Sequence, residues 1–363
     1  MVMSDAARFF SPDYGTARER FRAAARAAGA EIYALPLAAA GPGGEALTID
    51  SAWLGARDAR GVLLHTSGLH GVEAFAGSAV QHALLREPPP IERGCALVLV
   101  HVLNPWGMAW LRRTNENNVD LNRNFLRDGE SWSGANETYR KIDATLNPPS
   151  PPARDFFIVR AQVLALRHGF HALKQAVAEG QYEFPRGLFF GGRELQEGPR
   201  RYLAWLRQHL QHARYVFAID VHTGLGRWSS ETLFPEARPG ATPAAVLGEA
   251  LGRRLVAVSP EARTAYVIRG GMGPRLSQEL PQAGLDFILQ ELGTHSMLTV
   301  LHALREENRW HHHGDGSLGH ASKQRLYKVL CPTDAQWRRQ AVAHGVALAR
   351  AAAEWTFKTS GEL

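Results

Sequence analysis

Two apolar runs, GVLLHTSG at residues 61–68 and CALVLVHVLNP at residues 95–105, constrain the fold more than any other feature of the chain. A strand with one wet face alternates apolar and polar residues. These runs do not, so they read as strands buried on both faces, the state of parallel strands in α/β proteins. Between them EAFAGSAVQHALLRE (73–87) has helical spacing, and three prolines at 88–90 block its continuation. Strand, helix and strand make a βαβ unit, and ligands of such sheets collect beyond the carboxyl ends of the strands. The segment GLHGVEAF (68–75) falls at that point, with His70 and Glu73 three residues apart.

The rest of the chain repeats the alternation. Residues 16–29 predict an N-terminal helix stopped by Gly29, and residues 31–37 and 46–55 predict a hairpin about a Gly/Pro turn. Helices are expected over 154–180 and 200–213. YVFAIDVHTGLG (215–226) and LDFILQELGTHS (285–296) each read as a strand entering a Gly-containing turn, with a loop-rich stretch at 261–276 between them and two more helices near the C-terminus. The Pro/Ser cluster NPPSPP (147–152) marks a surface insertion around 128–153. The expected fold is one α/β domain over residues 1–363, three layers deep, with a mixed, mostly parallel twisted sheet and helices on both faces.

Composition narrows the function classes. The chain has 363 residues, 45% of them hydrophobic, enough to bury a large core. Its formal charge is +6, but 41 basic residues are scattered among 35 acidic ones. No basic stripe forms, so a nucleic-acid partner is not expected. The two cysteines, Cys95 and Cys331, are far apart in sequence and suit a reducing compartment. The first residues lack a signal-peptide core, and no run reaches the roughly 18 apolar residues of a membrane span. A soluble, cytoplasmic protein with no membrane partner is expected.

A catalytic zinc ion takes three protein ligands and keeps a fourth position open. His70 and Glu73 supply two, and His222, at the end of the strand VFAIDV, is placed to supply the third. Asp220, two residues earlier, is a candidate to accept a hydrogen bond from a ligand histidine. Glu291 ends the strand DFILQ and is the candidate general base. The loop LRRTNENNVDLNRNF (111–125) crowds Asn with Arg, whose planar fork grips carboxylates.

Five short motifs stand in order: HGVE (70–73), NPWG (104–107), RTNENNVDLNRNF (113–125), DVHTG (220–224) and ELG (291–293). Together they resemble the zinc carboxypeptidase family, the carboxypeptidase A-like metallopeptidases, and within it a bacterial branch. The resemblance spans Gly68 to Gly293. It implies that His70, Glu73 and His222 bind one zinc ion, that Glu291 is the general base, that Arg113 stabilises the oxyanion, and that Asn122 with Arg123 holds a substrate carboxylate. Arg112, next in line, is the alternative to Arg113.

Two departures from the family's pattern bear on the substrate. Peptide-cleaving members often carry arginine between the metal-binding His and Glu, where this chain has Gly71 and Val72. The same HGxE form occurs in related deacylases of N-acyl amino acids, such as aspartoacylase and succinylglutamate desuccinylase. Tyr266 is the tyrosine between His222 and Glu291, and its spacing differs from that of the family's mobile tyrosine. The leading expectation is a metallocarboxypeptidase acting on peptide C-termini. An N-acyl amino acid deacylase is the alternative, and a non-catalytic zinc- or carboxylate-binding module the second. Other conspicuous residues take simpler readings. His311–His313 are expected in a solvated loop and His65 and His101 in the core, while FFGG (189–192) and RGGMGPR (269–275) are expected as turns lining the site.

Overall fold

A computed structural model describes residues 3–236, 240–256 and 268–362. Its strands are β1 (Glu31–Ala40), β2 (Ala46–Gly55), β3 (Gly61–Ser67), β4 (Cys95–His101), β5 (Tyr215–Gly224), β6 (Glu231–Pro235) and β7 (Gly284–Gly293). They form one sheet in the spatial order β1-β2-β4-β3-β5-β7-β6. The four central strands are parallel, and antiparallel pairing begins at β2 on one side and β6 on the other. Every residue of β3, β4 and β5 is buried, which is why none of the three alternates apolar and polar residues as a half-exposed strand would.

The helices are α1 (Tyr14–Ala27), α2 (Ala74–Arg86), α3 (Pro105–Ala109), α4 (Glu137–Leu146), α5 (Phe157–His168), α6 (Phe170–Ala178), α7 (Glu197–His209), α8 (Ala244–Ala250), α9 (Met272–Glu279), α10 (Met297–His313), α11 (Ala321–Leu330) and α12 (Ala335–Glu362). Successive strand side chains point to opposite faces, so the sheet feeds two cores. Leu63, Leu97 and Phe217 pack with Phe21, Phe75 and Trp337 of α1, α2 and α12. Val62, Val98 and Ala218 pack with Tyr202, Leu206 and Leu276 of α7 and α9. The result is the expected three-layer α/β arrangement.

Several local expectations need correction. The helix expected over 154–180 is divided at Gly169, whose φ of +80° breaks the helical path. Strand β6 was not legible, because its five residues at the sheet edge depend on pairing with β7 rather than on an apolar pattern of their own. The stretch expected to be loop-rich turns helical at Met272, since Pro274 lies in the first turn of α9, where a backbone N–H is dispensable. Three helices, not two, follow β7, and His311–His313 form the last turn of α10 rather than a solvated loop. Among the described residues, no helix is long and apolar enough to cross a membrane.

Candidate metal centre

Two glycines set the local backbone. A β-carbon on Gly71 would lie 2.1 Å from the carbonyl carbon of Gly107, and one on Gly107 would lie 2.6 Å from Asn104 Nδ2. The HGVE and NPWG motifs therefore meet backbone to backbone, an approach only glycine permits. Gly71 N–H donates to Arg113 O at 3.2 Å, and Val72 N–H donates to Arg112 O at 2.8 Å. This pins the turn carrying His70 and Glu73 against the segment carrying Arg113.

His222 comes from the carboxyl end of β5. Asp220, two residues before it, shares its face of the strand. Their side chains meet, with His222 Nε2 2.6 Å from Asp220 Oδ2. His70 Nε2 lies 3.0 Å from Asp120 Oδ1 in the same relationship. Each carboxylate accepts the Nε2 proton, so that in the neutral ring Nδ1 is the nitrogen left for a metal.

Those Nδ1 atoms converge. His70 Nδ1 is 3.1 Å from His222 Nδ1 and 3.1 Å from Glu73 Oε1, and His222 Nδ1 is 3.5 Å from Glu73 Oε2. Tetrahedral ligands at about 2.0–2.1 Å from zinc would stand about 3.4 Å from each other. Among the described residues His70, Glu73 and His222, all buried, form the group able to hold a metal ion. A carboxylate and two imidazoles whose Nδ1 atoms would give up any proton to a bound metal, all turned toward one point, fit a single zinc ion.

The surrounding charge favours a cation as well. Burial works against charging His222, yet Asp220 and Glu73 push its imidazole up to about 10. Burial also opposes ionisation of Glu73 and Asp120. The first is nevertheless held below the usual carboxylate range by His70 and Arg113, and the second by Arg113, His70 and Arg123.

The other expected site residues lie around this centre. Arg113 Nη1 donates to Glu73 Oε1 at 2.7 Å and its Nε to Asp120 Oδ2 at 3.1 Å. Arg112 turns away into a buried network with Glu307, Asn118 and Asn308, at 2.9 Å from each. Of the two arginines, Arg113 is therefore the one at the site. Glu291 Oε1 accepts from Leu225 N–H at 2.7 Å. Burial first, then the charge of Glu73, pushes its carboxyl up to about 7. Asn122 and Arg123 line the same cavity, of about 480 Å³, together with His70, Glu73, Arg113, His222 and Glu291. Arg123 spends three of its five N–H donors on Ala178 O and Asn122 O, leaving two. Phe189 and Gly271 also line this cavity, as expected of their turns, whereas Met272 lines it from the first turn of α9. Tyr266 lies outside the described residues.

Asp120 is a site residue that the sequence reading passed over. Its carboxylate stands 4.0 Å from the Arg123 guanidinium, farther than from His70 and Arg113. The available signal was its place in DLNRN, which the structure brings behind a metal-site histidine.

The family described as a protein of unknown function, DUF2817, matches residues 10–344. The chain belongs to that family. No curated protein matches it. Among solved structures, bovine thrombin-activatable fibrinolysis inhibitor in complex with tick carboxypeptidase inhibitor is 10% identical. The match covers 96% of this chain and 98% of that one, with a TM-score of 0.51. Carboxypeptidase A from Helicoverpa armigera is 13% identical over 91% of this chain and 73% of its own, with a TM-score of 0.48. Murein-tripeptide amidase from Escherichia coli O157 is 18% identical over 77% of this chain and 92% of its own, at 0.38. At such identities the first match speaks to fold alone, and this DUF2817 chain has the zinc carboxypeptidase-like fold.

Proposed function

We propose that the protein is a zinc-dependent hydrolase of an amide bond next to a free carboxylate. The observation that carries this reading is the convergence of His70, Glu73 and His222, with Glu291 beside His222 on the next strand end. Bound there, zinc would act as a Lewis acid that polarises the scissile carbonyl and activates water.

The chain's own residues would do the rest. Leu225 N–H engages Glu291 Oε1, which leaves Oε2 to take a proton from the attacking water and return it to the leaving nitrogen. A carboxyl group poised near neutrality suits both halves of that transfer. Arg113 would move from its carboxylate partners toward the charge that develops on the carbonyl oxygen. Asn122 and the two remaining N–H groups of Arg123 would orient the substrate carboxylate. Asp120 and Asp220 would hold the two imidazoles in the tautomer that presents Nδ1 to the metal.

A metallocarboxypeptidase acting on peptide C-termini accords with the fold. The acylated amino acid is a second form of the same substrate, and the apolar lining of the cavity favours it. The test is hydrolysis of C-terminal dipeptides, N-acyl amino acids and their amidated analogues, with and without chelator, beside Glu291→Gln. Chelator-sensitive release from free-carboxylate substrates alone, lost in Glu291→Gln, is the expected result. One equivalent of bound zinc without turnover of any member would instead indicate a binding module, and no metal at all would refute the site.

A further inference from the structure

Six of the eight large apolar side chains exposed among the described residues lie between Phe156 and Phe170, on and beside α5. Leu166 is 87% exposed and Phe170 54%. An exposed apolar cluster of this kind on a soluble fold marks a surface built to meet something apolar. The same helices also face the catalytic cavity. Ala165, Phe170, Leu173 and Val177 line it, together with Leu298 and Leu301 of α10. Phe170 belongs to both surfaces and joins them into one apolar track leading to the metal centre.

Beyond the candidate site itself, the side chains lining the cavity are overwhelmingly apolar. Gln162, Lys174 and Glu236 are the clear polar exceptions. A peptide threaded there would bring backbone N–H and C=O groups, each needing a partner that apolar walls do not supply. An alkyl chain brings no such requirement. A cavity of about 480 Å³ also suits a ligand of drug-like size better than a single small acyl group.

We propose that the acyl side of the scissile bond is a long unbranched alkyl chain, so that the substrate is an N-fatty-acyl amino acid. This rests on the amide-hydrolase reading above. Water adds to the amide carbonyl, the C–N bond breaks, and the fatty acid keeps the hydroxyl while the amine of the amino acid gains the proton. Each buried methylene is worth on the order of fourfold in affinity. An N-lauroyl amino acid has roughly ten methylenes more than its N-acetyl form, and burying about four of them tightens binding more than a hundredfold.

The experiment is calorimetric titration of zinc-loaded Glu291→Gln protein with N-lauroylalanine and N-acetylalanine, below the micellar concentration, beside hydrolysis of both by the wild-type protein. The lauroyl form should bind at least about a hundredfold more tightly. Phe170→Asp, added to that protein, should abolish most of the preference without changing its melting temperature or N-acetylalanine binding. Ala165→Trp, which fills the cavity from α5, should do the same, and Val246→Asp, exposed outside the track, should change nothing. Equal affinities, no measurable binding of either ligand, or a preference untouched by both cavity variants would overturn the proposal. A lauroyl preference that responds to the variants without wild-type turnover would refute the hydrolase reading and leave the alkyl site standing.

Discussion

His222 and Glu291 are register partners across the parallel β5–β7 ladder. Adjacent strands lie about 4.8 Å apart, so this pairing puts an imidazole of the candidate metal centre and a carboxylate side by side at the carboxyl ends of the two strands. Glu291→Gln should therefore keep one equivalent of zinc while turnover falls by about 10²–10⁴. Metal analysis of the purified variant, paired with its kinetics, checks this. Loss of the zinc along with the activity would make Glu291 a ligand rather than a base.

Asp220 and Asp120 each accept a hydrogen bond from one histidine of the candidate metal centre. Asp220→Asn and Asp120→Asn should each weaken zinc binding by about 10–100-fold, because an amide no longer fixes the tautomer or raises the basicity of the ring. Competition against a chromophoric chelator measures it, and unchanged affinity in both variants would deny the two carboxylates this role.

Arg112 and Arg113 are neighbours with separate tasks. Arg112→Met strands Glu307 in a buried site with Lys323 alone for charge, so unfolding free energy should fall by about 3–5 kcal/mol while folded molecules keep their turnover. Arg113→Lys keeps the charge but not the fork, and kcat/KM should fall about a hundredfold. Denaturant melts and steady-state kinetics on both variants decide it. A turnover defect in folded Arg112→Met would reverse the assignment.

His65 and His101 are fully buried on β3 and β4, and burial pushes each imidazole down to about 4 from an ordinary 6.5. Between those values the unfolded chain binds protons that the folded chain refuses. Stability should thus fall as pH drops below about 6.5, with the loss complete below about 4 and on the order of 3 kcal/mol for each histidine. Urea unfolding in chelator at several pH values tests the slope, which His65→Gln with His101→Gln should flatten. An unflattened slope would place the acid sensitivity elsewhere.

The strands that carry the site were legible because burial on both faces leaves a local mark. GVLLHTS, CALVLVH and YVFAIDV each announce a central strand, and His70, Glu73, His222 and Glu291 follow from where such strands end. The glycines of HGVE and NPWG were visible as motifs, but not the reason for them, since it lies in two backbones meeting across the fold. Edge strand β6 and helix α11 left weaker marks, because neighbours supply much of their stability.

By itself the sequence determined which residue types stand at the ends of which buried strands, because side-chain period and burial are properties of a few consecutive residues. Only the tertiary structure decided which carboxylate stands behind which histidine, which of two adjacent arginines faces the metal centre, and that the helices after Phe157 join an exposed apolar strip to the cavity. Those are distances between segments remote in the chain. Hydrogen bonds and charge pairs act over a few ångströms, so their partners are chosen only once the sheet and its helices have brought the segments together.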